Sequence, residues 1–118
     1  MEVILFRSKL TAEAGEDYVS TDQKLEEMVK SNPGFIAAKG YTAADGERLT
    51  VVWFRDSESV KQWRNVPEHR AAQATGREKW YEFYKMDVAT VTRTITFDRN
   101  TRERHETRPE EAKQKAGA

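Results

Sequence analysis

The 118-residue chain has no cysteine, so disulfides, thiolate metal sites and cysteine nucleophiles are all excluded. It has two histidines, far apart at His69 and His105, and no HxxxH or HxE cluster, so no metal set is expected. The glycines Gly34, Gly40 and Gly46 do not have the spacing of a phosphate-binding loop. Neither sign of charge is in excess: 20 basic and 20 acidic residues cancel, which speaks against nucleic-acid binding driven by bulk electrostatics. No apolar run approaches the roughly 18 residues of a membrane span. The opening MEVILFRSKL has too short an apolar stretch, and no cleavage pattern, for a signal peptide. A cytoplasmic location without membrane attachment is the expectation.

What is present suits one domain with one core. Val3–Leu10 reads as a strand with Ile4, Phe6, Ser8 and Leu10 on one face. Glu16–Lys30 reads as a helix with an apolar stripe of Tyr18, Val19, Leu25, Met28 and Val29. Ser31-Asn32-Pro33-Gly34 stops it. Phe35–Thr42 and Leu49–Arg55 read as strands joined through Asp45-Gly46, a pair that tolerates positive φ. Asp56 or Ser57 can cap a short helix carrying Val60 and Trp63. Pro67 opens a second segment, and Gly76 interrupts it. Thr75-Gly76-Arg77-Glu78 fits a capping box that would restart a turn bearing Trp80 and Tyr81. Phe83–Phe97 reads as one long strand whose apolar positions change phase, so a bulge is expected near Asp87–Thr90. From Asp98 on no large apolar residue occurs. Residues 98–118 are therefore expected to be a charged, flexible tail, with some helix conceivable over Pro109–Ala116, and residues 1–97 the folded domain.

The order β-α-β-β-α-β, with its second helix broken, predicts an α+β, ferredoxin-like fold: a four-stranded antiparallel sheet with helices on one face. Large apolar groups occupy both faces of the middle strands: Phe35, Tyr41, Val51 and Trp53 against Ile36, Val52 and Phe54. Two helices cover one face, so a second copy is expected over the other, as a homodimer.

Asn32-Pro33-Gly34-Phe35, Leu49-Thr50-Val51-Val52-Trp53-Phe54, Ser57 to Trp63, Pro67-Glu68-His69 and the run GREKWYEFYKMDVATVTR from Gly76 to Arg93 together resemble the antibiotic-biosynthesis-monooxygenase family. The resemblance covers about residues 1–97. It implies a dimeric α+β barrel whose two sheets pack face to face, and a pocket in each subunit between the sheet and the broken helix. It also implies a monooxygenase that needs no metal or organic cofactor: an acidic phenol or hydroquinone loses a proton, and its anion reduces O2. Such a site needs an aromatic cage, a base and a cation or donor beside the developing oxyanion. The positions indicated are Trp63, Trp80, Tyr81 and Tyr84 for the cage, His69 for the base, and Arg7, Arg77 and Arg93 for the cation. Arg7 or Arg93 is expected at the pocket floor. Core packing is the other use open to the aromatics, and solvation at a rim is the other use open to the arginines.

Two alternatives remain. Haem-degrading members use an asparagine on the first strand, a tryptophan and a helix histidine. Trp63 and His69 match loosely, but Glu2–Leu10 holds no asparagine. A non-enzymatic dimer that binds a small apolar ligand is the other.

Overall fold

The computed structural model describes residues 1–107. β1 (Glu2–Leu10), α1 (Glu16–Lys30), β2 (Phe35–Thr42), β3 (Arg48–Phe54), α2 (Ser57–Arg64), α3 (Pro67–Thr75) and β4 (Tyr81–Thr90) follow the expected order. The sheet is antiparallel with strand order β2-β3-β1-β4, which is the ferredoxin-like arrangement. β1 is central, pairing Ile4 with Val52 on one side and with Val88 on the other.

Even-numbered positions of β1 and β3 face the helices. Ile4, Phe54, Val29 and Trp63 form the buried core there, with Leu25, Met28, Val52 and Val60 packed around it. Tyr18 and Val29 are buried on α1, but Val19 is 51% exposed and lies off the stripe expected for it. The odd-numbered face carries half-buried Val3, Leu5, Leu49 and Trp53, with Tyr41 and Phe83 exposed.

Local chemistry explains the turns. Gly46 adopts φ +89°, and its N–H donates to the Ala43 carbonyl in the β2–β3 hairpin. Asp56 caps α2: its carboxylate accepts from the Ser59 N–H at 2.8 Å and the Ser59 hydroxyl at 2.7 Å. Gly34 sits so close to Ser59 that a Cβ there would fall 1.8 Å from its Oγ.

Three expectations are corrected. The capping box at Thr75 does not form: Thr75 keeps helical dihedrals, its hydroxyl donates back to the Ala71 carbonyl, and a π-helical turn over Gly76–Trp80 carries the chain on to β4. The strand irregularity falls not at Asp87–Thr90 but opposite Lys9 and Leu10, where Lys9 pairs Phe83 and Leu10 pairs Tyr81, leaving Glu82 as the extra residue. The apolar phase change of β4 needs no bulge, because Tyr84, Met86 and Val88 face the helix side while Ala89 faces the other. The long last strand is also divided. After Thr90 the Val91 N–H donates to the Met1 carbonyl, and the chain leaves the sheet for a separate hairpin of β5 (Thr94–Asp98) and β6 (Glu103–Thr107). Residues 98–107 of the expected flexible tail thus include a paired strand. The rest of that tail, with the helix conceived over Pro109–Ala116, lies outside the described residues.

Candidate functional site

A cavity of about 790 Å³ opens between the helix-side face of the sheet and the three helices. That size falls within the range of small-molecule sites. Its floor is Ile4, Phe6, Thr50, Val52, Met86 and Val88, and its roof is Leu25 and Val29 of α1 with residues of α2 and α3. It has two ends of different chemistry.

At one end, where β1 begins and β3 finishes, Trp63 closes the core at 7% exposure. Pro67 forces a break between α2 and α3, and the new helix lays the His69 ring on Trp63, centroids 4.5 Å apart and planes 22° from parallel. The His69 Nδ1 is buried and has no hydrogen-bond partner. Burial holds this imidazole below its ordinary value near 6.5, with the nearby Trp63 backbone pulling weakly the other way. A neutral imidazole lining an apolar cavity can accept a proton from a bound acid.

The other end lies where β1 finishes and β3 and β4 begin. Tyr18, Asp22, Arg48, Trp80, Tyr81 and Tyr84 line it. An Arg48 Nη1 donates to the Tyr18 hydroxyl at 3.1 Å, with the guanidinium 5.7 Å from the Tyr18 ring centre. Tyr18 meets Trp80 edge-on at 5.5 Å and Tyr81 at 6.2 Å, and Phe6 contacts both Tyr81 and Tyr84 at 5.6 Å. The extra residue Glu82 turns Tyr81 to the cavity side, so that it and Tyr84 share a face despite their odd and even numbers. Gly76 permits this: a Cβ there would lie 2.4 Å from Tyr81 Cε2. Desolvation raises the Tyr18, Tyr81 and Asp22 acids, Tyr81 most strongly. Outside the cavity, Asp17 accepts from Lys79 Nζ at 2.8 Å and from Trp80 Nε1 at 3.0 Å, which pulls its carboxyl down to about 2 and pins the Trp80 ring.

Of the residues singled out from the sequence, Trp63, His69, Trp80, Tyr81 and Tyr84 line this cavity. The three arginines do not. Arg7 has odd parity, so it points from the opposite sheet face, paired with Glu47 at 2.7 Å and set 5.9 Å over the Phe83 ring. Arg93 follows the last sheet strand and pairs with Glu106 of the hairpin. Arg77 is exposed on the π-helical turn. The expectation of Arg7 or Arg93 at the pocket floor is therefore corrected: the cation at the tyrosine end is Arg48. Nothing in the sequence marks it, since it sits beside a hairpin turn among polar neighbours. Among the described residues no group of three or more His, Asp or Glu side chains is placed to hold a metal ion, and no helix is long and apolar enough to cross a membrane.

The sequence pattern of the family described as antibiotic biosynthesis monooxygenase matches residues 1–75. The protein YqjZ of Bacillus subtilis is 33% identical over 94 residues, which span 80% of this chain and 82% of that protein. The jasmonate monooxygenase ABM of Pyricularia oryzae is 26% identical over 97 residues, 80% of this chain but 45% of that protein. Two solved structures share the fold at low identity. A variant of SnoaB, a cofactor-independent oxygenase from Streptomyces nogalater, superposes with a TM-score of 0.65 at 14% identity, covering 79% of this chain and 94% of the other. Rv0793 from Mycobacterium tuberculosis gives 0.66 at 15% identity, covering 76% and 93%. On the family pattern and the YqjZ relation, the chain belongs to the antibiotic biosynthesis monooxygenase family.

Proposed function

We propose that the cavity takes a small electron-rich aromatic or quinol and oxidises it with O2, using no metal or organic cofactor. Family membership and the monooxygenase names among the relatives support a general monooxygenase-type activity. The observation that carries the finer reading is the buried, unpartnered Nδ1 of His69 in an aromatic cavity. It takes a proton from the ring-activated substrate, and the carbanion or phenolate so formed gives its electrons to O2. For a ring CH2, the resulting hydroperoxide eliminates water and leaves C=O. One oxygen atom enters the product and the other leaves as water, with the substrate supplying both electrons. The flat aromatic walls hold the ring, and displacement of water by apolar side chains keeps the base neutral.

The experiment is oxygen uptake by chelator-treated protein across a panel of hydroquinones and anthrone-like phenols. Turnover that falls in His69→Gln supports the reading, and absence of uptake across the panel removes it. The same nitrogen favours a second reading, since it could ligate the iron of a bound haem, which would supply oxygen activation. A Soret shift on adding hemin that disappears in His69→Gln is the result that would transfer the assignment to haem.

We further propose a homodimer through the odd-numbered sheet face. Val3, Leu5, Leu49, Trp53, Tyr41 and Phe83 make that face apolar, and among the described residues no helix covers it. An interface on the order of 2,000 Å² fits an obligate pair. Light scattering at micromolar concentration reads it, and a monomer there overturns it.

A further inference from the structure

The mechanism proposed above uses His69 and the aromatic walls, and it leaves the tyrosine end of the cavity without a task. Arg48 is unusual there. Among the described residues it forms no ion pair within 4.0 Å. The neighbouring Glu47 is taken by Arg7 on the opposite face. The guanidinium's one side-chain hydrogen bond goes to a neutral acceptor, the Tyr18 hydroxyl. A half-buried guanidinium (five N–H donors, one of them used in this way) is an incomplete arrangement, because a charge withdrawn from water is stabilised by an opposite charge or by full hydrogen bonding.

The other charged groups near it do not complete it. Asp22, one helical turn after Tyr18, borders the same end, but it is exposed and makes no ion pair with Arg48 within 4.0 Å, so its charge acts on the guanidinium only at longer range. Glu26, a further turn along α1, is exposed at the rim. The Tyr18 and Tyr81 phenols keep their protons and hydrogen-bond each other, with Tyr18 accepting from both Tyr81 and Arg48, so the Tyr18 O–H is the neutral donor left beside the cation.

We infer that Arg48, with the Tyr18 and Tyr81 hydroxyls, is an anion-binding subsite that receives the acidic head group of an amphipathic ligand whose flat apolar body extends toward Trp63 and His69. Ile4 lies in the core beside Trp63, and Ser8 pairs with Arg48 in the sheet. They are four positions apart along the strand, or roughly 13 Å at about 3.3 Å per residue. The ligand class is therefore a carboxylic, sulfonic or similarly acidic molecule whose ring system lies within roughly 13 Å of its acid group. This rests on the reading of the cavity as a small-molecule site, and it adds which molecules enter and which way round they lie. An Arg at such a position recognises a carboxylate by two parallel N–H···O bonds, which a lysine cannot reproduce.

The test uses two probes that share one ring system. 1-Anilinonaphthalene-8-sulfonate carries an acid, and N-phenyl-1-naphthylamine lacks it. Their fluorescence on binding gives a dissociation constant for each without any turnover. Arg48→Met should weaken the sulfonate at least tenfold and change the neutral amine less than twofold. Asp22→Asn should tighten the sulfonate and leave the amine unchanged, and this arm keeps the test open if Arg48→Met does not fold. Arg48→Lys should fall between wild type and Arg48→Met for the sulfonate. Equal weakening of both probes, or no change in either, overturns the subsite, as does an Asp22→Asn protein with unaltered selectivity. Loss of oxygen uptake in the earlier experiment leaves these ratios untouched, so the oxidation reading and the anion subsite fail separately.

Discussion

The two ends of the cavity are assembled differently. The Trp63–His69 end comes from adjacent helices, and a proline between them sets the angle at which one ring lies on the other. The tyrosine end draws Tyr18 from α1, Arg48 from β3 and Tyr81 from β4, elements that meet only when the sheet forms. The first end is a core residue with a base beside it. The second is a hydrogen-bonding group around a cation. On the function and subsite proposed above, chemistry that needs a dry, neutral base falls to the packed end, and recognition that needs adaptable donors falls to the end built from strand termini.

The largest effect that would sharpen this contrast is at His69. His69→Gln should lower oxidation by about 10²- to 10⁴-fold, the usual contribution of a general base, while sulfonate-probe binding at the far end stays within twofold. If oxidation survives, the two ends do not divide the work in this way. Trp63→Ala should cost about 3–5 kcal/mol in urea unfolding, as large-to-small core changes do. A loss below about 1 kcal/mol would make Trp63 a ligand wall and not a member of the core.

Gly76→Ala tests the other end. Its new methyl would meet the Tyr81 ring, displacing it at a cost of about 1–3 kcal/mol and weakening the sulfonate probe more than the neutral one. Tyr18→Phe removes the Arg48 acceptor, and should cost about 0.5–1.5 kcal/mol, the net worth of one hydrogen bond. The smallest effect is in pH. The folded His69 titrates below its unfolded value near 6.5, so its protonation favours the unfolded chain. Its contribution to stability is complete above that value and is lost as pH falls from there through the folded pKa. The slope of unfolding free energy over that window should flatten in His69→Gln. An unchanged slope would mean that the ring is solvated. The acid limb of the oxidation rate should likewise have its midpoint below 6.5.

Much of this molecule was legible where the signals were local. The two central helices announced themselves by a cap at Asp56 and a proline at Pro67, and the hairpin by Asp45-Gly46, because each depends on backbone preferences within a few residues. The aromatic wall was legible for a different reason: Trp63, Trp80, Tyr81 and Tyr84 are too large to be left in water, and they lie along one broken helix and the strand that follows. The hairpin of β5 and β6 was not legible, since Glu103–Thr107 has no apolar pattern and its pairing is set by the partner strand.

The arginines show where reading from sequence stops. Arg7 and Ser8 are neighbours, and alternation sends them to opposite faces of β1. Both faces carry apolar residues, so nothing local says which face the helices will cover, and a one-position error exchanges every side chain. The sequence by itself determined the order of elements, their turns and caps, and the supply of rings for a cavity, because those follow from short-range backbone preference and from the periodicity of apolar groups. Only the tertiary structure decided that Arg48 faces the cavity while Arg7 faces away, and that Tyr81 joins Tyr84 on the cavity side. Strand register and one extra residue at Glu82 settle those directions, both relations between segments distant in the chain, and the close approach of Gly76 leaves room for the Tyr81 ring.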